Sequence, residues 1–418
     1  MSQMASVSLV VSRNMTLKKL KEVKNLKGEK VLLRVDYNVP MEKKKMSNGK
    51  YKIVIRDDTK IKETIPTINY LLKKGAKVIL ISHLGDPKGK IVKDLTMEPI
   101  GEALYKLLKE KMECTEIVKD NYPFDFIDKM AGGEVVLLEN LRFNIGEEKN
   151  DTKFAKYLAS LADIYVNDAF AVSHRAHASV SKIANFLPSC AGLLLEREIE
   201  VLSKLLTKPK KPFVAITGGA KISTKIDLIK NLLKKVDCLM IGGAMANNFL
   251  KAFGYNVGAS LVESDKINFV RKFLKNKKIL LPIDVVVGDF DGKKSRIVQV
   301  SYNSKNICEK NEAILDIGPE TIKMYEKVIS KAKTLIWNGP MGYFENTEYN
   351  KGSEEVSRII AEYSKKGLLS VVGGGETLSI IEKTGAATSI THVSTGGGAM
   401  LEFLEGKILP GIKPLLHL

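Results

Sequence analysis

Short β-branched runs alternate along this chain with longer stretches of helical periodicity, and this alternation constrains the fold more than any other feature. Strands that alternate with amphipathic helices build βα units around parallel sheets, so we predict an α/β fold. The predicted strands are residues 31–35, 77–82, 134–138, 164–166, 213–217, 239–241, 284–287, 334–337 and 369–372. The predicted helices include residues 61–74, 98–111, 151–162 and 196–206.

The alternation pauses once, near Pro188, and this pause indicates where the chain divides. It resumes with the long helical stretch 196–206. A Lys/Pro run follows this stretch at residues 208–212. At roughly 150 residues per domain, a chain of 418 residues makes two or three domains. We therefore predict a domain boundary at this run. The lysine-rich stretch 42–52 is predicted to be a solvated loop.

Composition excludes several classes of protein. Hydrophobic residues make up 44% of the chain and charged residues 27%, a balance that disordered chains lack. No apolar run approaches the roughly 18 residues of a membrane-spanning helix. The four cysteines, Cys114, Cys190, Cys238 and Cys308, do not have the spacing of a zinc site or a disulfide framework. Scattered single cysteines fit a reducing compartment.

The net charge is unusual, because 66 Lys and Arg residues against 48 Asp and Glu residues give +18. Such an excess favours anionic partners, which include nucleic acids, anionic membranes and anionic metabolites. A lysine-rich solvated surface would explain the net charge equally well. The first fourteen residues lack acids and are rich in serine, like an organelle presequence, but we interpret them as a disordered extension.

Polar and charged residues follow the predicted strands of the first half. They read Arg-Val-Asp-Tyr-Asn at 34–38, Ser-His-Leu-Gly-Asp at 82–86, Glu-Asn-Leu-Arg-Phe at 139–143, and Asn-Asp-Ala-Phe at 167–170, with His-Arg-Ala-His at 174–177. Ligands of open α/β sheets bind beyond the carboxyl ends of the strands, and guanidinium groups bind phosphate or carboxylate in a bidentate manner. A local ion pair, such as Arg34 with Asp36, is the alternative for one segment. Four successive strand ends predict a site for a small, multiply anionic ligand.

Glycines follow the strands of the second half, at 218–219, 242–243, 318, 339, 373–375 and 396–398. Glycine after a strand lets backbone N–H groups approach phosphate oxygens closely, with a helix N-terminus behind them. One such turn is weak evidence, but six predict a nucleotide site. The P-loop, the dinucleotide-binding glycine motif and the protein-kinase catalytic loop are absent from the sequence. An anion-binding half and a nucleotide-binding half, joined by a helix, suit phosphoryl transfer in a cleft that closes.

These segments occur in the order and spacing of a known family, and the chain resembles phosphoglycerate kinases over essentially its whole length. Trp-Asn-Gly-Pro-Met-Gly at 337–342 and Ser-Thr-Gly-Gly-Gly at 394–398 belong to the same resemblance. It implies an α/β fold of two Rossmann-like lobes with parallel sheets. The N-terminal, phosphoglycerate-binding lobe would span residues 1–190, a hinge helix 191–207 and the C-terminal, nucleotide-binding lobe 208–405. The tail, 406–418, would return to the N-terminal lobe.

The resemblance also implies a reversible reaction, in which 1,3-bisphosphoglycerate and ADP give 3-phosphoglycerate and ATP with Mg²⁺. The implied substrate-binding residues are Asp36, Asn38, Thr59, Lys60, His83, Asp86, Arg142 and Arg175. The implied nucleotide-binding residues are Gly219, Ala220, Lys221, Lys225, Gly243, Gly318, Asn338, Pro340, Glu345, Gly375, Glu376 and Thr377. The implied catalytic residues are Lys60, Lys221, Gly375 and Gly398, and Glu376 would contact the metal. The reacting carboxylate is already ionised, so catalysis needs charge neutralisation and alignment rather than a general base.

Four positions depart from the family's pattern. Lys60 and Asp86 each replace an arginine, Thr224 replaces an aspartate, and Glu376 replaces an aspartate with a longer acid. Lysine keeps the positive charge but loses the planar fork of arginine, and Asp86 reverses the charge beside an anionic substrate. These departures put the rate and the affinity in question.

Three hypotheses follow. The first is an active phosphoglycerate kinase, and the second is a weakened relative that keeps ligand binding and serves as an interaction or regulatory protein. The third is a basic nucleic-acid-binding protein, against which stand an aromatic content of 7% and the absence of a recognition motif. We expect a cytoplasmic monomer without nucleic-acid or membrane partners, and import of the chain into an organelle stays open.

Overall fold

The computed structural model describes residues 16–47, 49–108, 117–118 and 124–417. Three features named above lie outside the described residues. They are the extension at residues 1–14, the thiol of Cys114 and the last part of the helix predicted at 98–111.

The described strands follow the alternation of the sequence closely. They are β1 (Lys30–Arg34), β2 (Met41–Lys45), β3 (Tyr51–Ile55), β4 (Lys77–Ile81), β5 (Ile117–Val118), β6 (Val135–Leu138), β7 (Ile164–Asn167), β8 (Ser189–Ala191), β9 (Phe213–Thr217), β10 (Cys238–Ile241), β11 (Ile279–Leu280), β12 (Asp284–Gly288), β13 (Ser295–Gln299), β14 (Ala313–Ile317), β15 (Thr334–Asn338), β16 (Leu369–Gly373) and β17 (His392–Ser394). Each of the nine strands predicted from the sequence is present, and its ends lie within one residue of the predicted ones.

The described α-helices connect these strands. They are α1 (Thr59–Lys73), α2 (Glu98–Leu108), α3 (Phe124–Lys129), α4 (Thr152–Ala159), α5 (Leu193–Thr207), α6 (Ile226–Leu233), α7 (Gly243–Ala252), α8 (Ile267–Arg271), α9 (Pro319–Ile329), α10 (Lys351–Lys365), α11 (Gly375–Lys383) and α12 (Gly397–Leu404). In the part of the chain that the structure describes, no helix has both the length and the apolar character needed to cross a membrane.

The chain divides into two compact units. The first contains the chain up to Val201 together with the segment from Lys407 onward, and the second runs from Leu202 to Gly406. The division falls inside α5, within the segment predicted as a hinge helix. Within the first unit, the C-terminal segment contacts the end of β7, where Asn167 Nδ2 donates to the Gly411 carbonyl at 3.0 Å. The domain limits and the hinge role of α5 stay predictions.

The first unit is built on a six-stranded parallel sheet with the order β5-β6-β4-β1-β7-β8. Strands β1, β4, β6 and β7 are buried on both faces, which is typical of parallel sheets covered by helices. In β1, Val31 and Leu33 pack in a cluster on one face, whereas Leu32 packs in a second cluster on the other. The alternation of side chains along a strand therefore gives this unit two hydrophobic layers.

The second unit is built on a six-stranded parallel sheet with the order β11-β10-β9-β15-β16-β17. Numbered along the chain, these six strands have the spatial order 3-2-1-4-5-6, which is the order of the Rossmann fold. The strand order reverses between β9 and β15, so a ligand crevice is expected beyond the ends of these two strands.

The prediction of a solvated loop at residues 42–52 was wrong. Strands β2 and β3 form an antiparallel hairpin, in which Met41 pairs with Ile55 and Lys45 pairs with Tyr51. The β-branched run of β3 is half-buried, while β2 is almost fully exposed. The lysines of the exposed strand, together with a partner strand that is only partly buried, made this segment resemble a loop.

The strand at 284–288 also differs from the expected arrangement. It pairs antiparallel with β13 and β14 in a separate three-stranded sheet, instead of joining the parallel sheet of the second unit. The apolar character of β12 predicted a buried strand correctly, but local sequence does not specify a partner strand or its direction.

Candidate active site

Predicted substrate-binding residues meet at the strand ends of the first unit, where the strand order reverses between β1 and β7. Asp36 and Asn38 follow β1, and His83 follows β4. His83 Nδ1 lies 3.7 Å from Asp36 Oδ1, and Asn38 Oδ1 accepts from the Gly85 amide at 3.0 Å. These contacts join the loops that follow the two strands.

Lys60, in the first turn of α1, contacts the same loop. Its ammonium donates to Asp36 Oδ2 at 2.8 Å and to the Asn38 carbonyl at 3.1 Å. Burial alone would raise the pKa of Asp36, but the Lys60 ammonium, with Arg34 nearby, lowers it to about 2. Asp36 is therefore a carboxylate at neutral pH, and it holds the Lys60 cation in the site.

His83 is buried among guanidinium groups. Burial, together with the charges of Arg34, Arg142 and Arg175, holds the pKa of His83 well below its usual value, in spite of the Asp36 carboxylate. His83 is therefore neutral at physiological pH and can offer one donor and one acceptor nitrogen.

Of the two arginines in the implied substrate-binding set, Arg142 is the more buried, with 5% of its surface exposed. Its Nη1 donates to the Gly85 carbonyl at 2.6 Å. Its Nε lies 3.1 Å from Glu148 Oε1, yet neither Nε nor Nη2 has a hydrogen-bond partner among the described residues. Burial lowers the pKa of Arg142, although Glu148 and Asp86 counteract this. The group stays charged, and its unused donors make it suited to an anion.

Three further predicted residues lie at the margin of this cluster. Thr59 is exposed at the first position of α1, and Arg175 and Asp86 are exposed in loops. The charge of Arg175 lowers the pKa of His83 and of Arg142, whereas the charge of Asp86 raises the pKa of Arg142. Arg175 and Asp86 therefore lie within electrostatic range of the buried groups.

Sequence reasoning missed a second layer behind these residues. Arg34 is almost fully buried, and its Nε donates to Ser179 Oγ at 3.0 Å, while Ser179 contacts the buried carboxylate of Glu147. The sequence suggested that Arg34 either binds the ligand or pairs with Asp36. Glu147 lies beside Glu148 outside every motif named above, and the sequence carried no signal that it is buried.

The second unit brings its glycine turns together where its strand order reverses. The Gly218 amide donates to the Asn338 carbonyl at 3.0 Å, and the Gly219 amide donates to the Pro340 carbonyl at 2.9 Å. Gly218 is required by this close approach, because a Cβ atom there would lie 1.9 Å from the Pro340 carbonyl oxygen. The turns after β9 and β15 are thus joined by backbone hydrogen bonds.

Lys225 lies directly behind these turns and is buried. Its ammonium donates to the Gly218 carbonyl at 2.7 Å and to the Asn338 carbonyl at 3.3 Å. Burial lowers the pKa of Lys225 to about 8, although the Glu376 carboxylate counteracts this. The structure therefore gives this predicted nucleotide ligand a second task, which is to connect the two turns.

The third turn, after β16, attaches to the same cluster. Asn338 Nδ2 donates to the Gly373 carbonyl at 2.7 Å, and Thr377 Oγ1 accepts from the Gly339 amide at 2.7 Å. Gly374 has a φ of 103°, a conformation that side chains with a Cβ rarely adopt. This turn opens directly into α11, so the N-terminus of a helix faces the cluster of glycines.

Several predicted groups are exposed at the edge of this cluster. They are Ala220 and Lys221 after β9, Gly375 and Glu376 at the start of α11, and Gly398 in the first turn of α12. A Cβ at Gly397 would lie 3.6 Å from the Gly374 Cα, so the start of α12 packs against the turn after β16. Amides of two helix N-termini are consequently adjacent.

The remaining predicted nucleotide ligands have other surroundings. Gly243 begins α7 and its amide donates to the Met341 carbonyl at 2.7 Å, which places it beside the turn after β15. Gly318 precedes α9 and packs against Asp284, and Glu345 is exposed in the segment after β15. The hydrogen bond of Gly243 joins it to the glycine cluster, whereas Gly318 contacts β12 of the three-stranded sheet.

One unit carries a buried arginine, Arg142, with donors that have no partner among the described residues. The other carries glycine turns and helix N-termini at a Rossmann-type reversal of strand order. These features together are typical of an α/β phosphotransferase. The family model described as phosphoglycerate kinase matches residues 20–407. The chain belongs to the phosphoglycerate kinase family, and it is a phosphotransferase of glycolysis with a carboxyl group as acceptor.

Curated relatives and solved structures agree with this assignment. A phosphoglycerate kinase of Pelotomaculum thermopropionicum is 48% identical over 399 residues, which are 94% of this chain and 97% of the relative. One of Moorella thermoacetica is 47% identical over 406 residues, 96% of this chain and 98% of the relative. The solved phosphoglycerate kinase of Coxiella burnetii has a TM-score of 0.80 at 39% identity and covers 96% of this chain and 99% of its own. That of Pyrococcus horikoshii has a TM-score of 0.79 at 33% identity, covering 96% of this chain and 98% of its own.

Proposed function

We propose that the protein is an active kinase that transfers a phosphoryl group reversibly between 1,3-bisphosphoglycerate and ADP. The first unit would bind the phosphoglycerate at the cluster of Asp36, His83 and Arg142. The second would bind ATP or ADP at the turns that Lys225 connects. A carboxylate is both the acceptor in one direction and the leaving group in the other, so the reaction needs cations and aligned donors rather than a proton acceptor.

The observation that carries the phosphoglycerate site is the state of Arg142. Its Nη2 has no hydrogen-bond partner among the described residues, and its Nε lies beside Glu148 without forming one. This state is costly, because buried polar groups normally have partners. An anion that accepts from Nε and Nη2 would remove this cost. Phosphate and carboxylate oxygens have the geometry for such bidentate contacts, and the substrate carries both groups.

The groups that would act on the migrating phosphoryl group come from both clusters. Lys60 would supply a cation from the first unit, since Asp36 holds its ammonium in place. Lys221, the amide of Gly375 and the amide of Gly398 would supply charge and donors from the second unit. Fixed donors of this kind stabilise the transition state because they need no reorganisation during transfer.

Magnesium fits the residues that are present if it arrives with the nucleotide. Among the described residues, no group of three or more His, Cys, Asp and Glu side chains could hold a metal ion alone. Glu376 places one exposed carboxylate at the N-terminus of α11, beside the glycine cluster. One carboxylate together with phosphate oxygens and water is a common set of ligands for Mg²⁺. Bound there, the ion would neutralise charge on the phosphates of the nucleotide.

The decisive experiment is a coupled assay of ATP formation by the purified chain from 1,3-bisphosphoglycerate, ADP and Mg²⁺. We expect turnover well above a blank, and loss of turnover when the metal is chelated. Calorimetric titration with 3-phosphoglycerate should give binding that Arg142→Gln weakens. Binding of ADP without turnover would favour the alternative of a weakened relative that keeps ligand binding.

A further inference from the structure

A chain of buried hydrogen bonds leads from Glu147 to the predicted substrate ligand His83. Ser179 Oγ donates to Glu147 Oε1 at 2.6 Å, and the Ser179 amide donates to Glu147 Oε2 at 2.9 Å. Arg34 Nε donates to Ser179 Oγ at 3.0 Å, and Arg34 Nη2 lies 3.2 Å from His83 Nδ1. Arg34, Glu147 and Ser179 are each at most 1% exposed. We call these three residues the Glu147 relay.

The direction of every bond in the relay follows from the chemistry of its members. Arginine can only donate, so Ser179 Oγ accepts from Arg34 and has its single proton left for Glu147. Both oxygens of Glu147 accept from Ser179, which is what a carboxylate requires. Burial raises the pKa of Glu147, while the Arg34 charge and the bonds from Ser179 lower it. The relay therefore runs from the buried guanidinium of Arg34, through one hydroxyl, to the acceptor oxygens of Glu147.

The last bond of the relay determines where the proton of His83 lies. Since Arg34 Nη2 can only donate, His83 Nδ1 must accept, and the proton of the neutral ring must then be on Nε2. The competing arrangement places the proton on Nδ1, from which it would point to Asp36 Oδ1, 3.7 Å away. The shorter contact to Arg34 favours the first arrangement.

We propose that Glu147, Ser179 and Arg34 are positioning residues that hold His83 as the Nε2–H tautomer, so that it offers a donor to the bound phosphoglycerate. The role of His83 toward the substrate rests on the proposed phosphoglycerate site. The assignment of the tautomer does not depend on that proposal. The carboxylate and phosphate groups of the substrate contain only acceptors. A ring whose Nε2 carries the proton can donate to these oxygens. In the other tautomer the lone pair of Nε2 would face the lone pairs of the same oxygens.

The tautomer is measured first, by NMR of the full chain labelled with ¹⁵N-histidine, without ligand and near neutral pH. The His83 signals are assigned by their loss in His83→Gln. We expect the Nε2–H tautomer in the wild type and in Ser181→Ala, whose hydroxyl contacts Asn150 and the His177 carbonyl instead of the relay. Ser179→Ala should give the Nδ1–H form or a mixture. A wild-type ring that is protonated on Nδ1, or on both nitrogens, overturns the proposal.

Steady-state kinetics then separates positioning from simple stability. Ser179→Ala should raise KM for 3-phosphoglycerate roughly tenfold, with KM for ATP unchanged, because the altered donor faces only one substrate. Ser179→Thr keeps the hydroxyl and should restore both the tautomer and KM. Equal increases in both KM values, or a lower melting temperature with wild-type kinetics, would contradict the positioning role.

Two combinations of these results separate this inference from the proposed function. If His83 is the Nε2–H tautomer and Ser179→Ala changes it, but 3-phosphoglycerate does not bind the wild type, the relay stands and the proposed substrate fails. If the substrate binds and turns over while the tautomer is the same in Ser179→Ala and wild type, the proposed function stands and the relay fails.

Discussion

Lys60 occupies the position where its family has an arginine, and the structure gives it a defined partner in Asp36. We expect Lys60→Ala to lower kcat by at least tenfold, about 1.4 kcal/mol in the activation barrier, because a cation that faces the phosphoryl group is lost. Lys60→Arg should preserve or raise kcat. Lys62→Ala is the matched control, since Lys62 lies on the same helix and pairs with Asp58 on the surface. Equal kcat for wild type and Lys60→Ala would refute the assignment.

Asp86 is exposed, yet its charge reaches the buried Arg142. A carboxylate at this place repels a multiply charged anion, so Asp86→Arg should lower KM for 3-phosphoglycerate and affect KM for ATP less. Asp94→Asn serves as control, because Asp94 is an exposed acid that pairs with Lys43. Each substrate is varied in turn at fixed ionic strength. An unchanged or higher KM for 3-phosphoglycerate would mean that Asp86 does not lie against the substrate.

At the scale of elements, Asp168 connects the end of β7 to the start of α5. Its Oδ1 accepts from the amides of Leu194 and Leu195 at 2.9 Å and 3.2 Å, so it caps a helix to which it does not belong. Burial raises the pKa of Asp168 to about 6, although the hydroxyl of Thr67 and these two amides counteract this. The folded state therefore prefers the neutral acid, and the stability that this group contributes is present at low pH and is lost as the pH rises through 6.

Asp168→Asn keeps the acceptor for the helix amides but cannot ionise. We expect the unfolding free energy of Asp168→Asn to rise relative to wild type between pH 3.8 and about 6, by up to about 3 kcal/mol. Denaturant titrations of both proteins across this range measure the difference. A difference that is independent of pH would show that the carboxyl group has an ordinary pKa in the folded state.

Lys225 allows a second prediction at this scale, because its ammonium connects the turns after β9 and β15. We expect Lys225→Met to raise KM for ATP and to lower the unfolding free energy without ligand by about 1–3 kcal/mol, since two buried carbonyls lose their donor. Lys230→Met, which changes an exposed lysine on the helix that begins directly after Lys225, should change neither quantity. If the stability without ligand were unchanged, Lys225 would act only on the nucleotide.

The strands and the glycine turns were predictable for a physical reason. Parallel strands that are buried on both faces are continuous apolar runs, and the turns after them meet at one edge of the sheet. The hairpin of β2 and β3 was not predicted, because its exposed strand carries lysines and its other strand is only half-buried. The pairing of β12 was not predicted either, since the direction of a partner strand depends on contacts distant in sequence.

For the molecule as a whole, local motifs indicated the groups that we propose as ligand-binding, but not the groups behind them. Arg34 contacts Ser179 across 145 positions of sequence, and Ser179 contacts Glu147 across 32. No spacing rule connects such residues, so the relay becomes visible only in three dimensions. The same holds for Lys225, whose contact with Asn338 spans 113 positions.

The net charge of +18 also belongs to the whole molecule, and the sequence left two interpretations open. If the excess cations attract anionic substrates, kcat/KM for 3-phosphoglycerate should fall severalfold between about 0.02 M and about 0.3 M KCl, because salt shortens the range of the field. The value of kcat at saturating substrate should change much less, since groups in contact with bound substrate are screened less than distant charges. The measurement is a salt series at constant pH and constant free Mg²⁺, with potassium acetate as a second salt to separate ionic strength from chloride binding. A kcat/KM that stays constant over this range would contradict attraction and leave a solvated lysine-rich surface as the explanation of the charge.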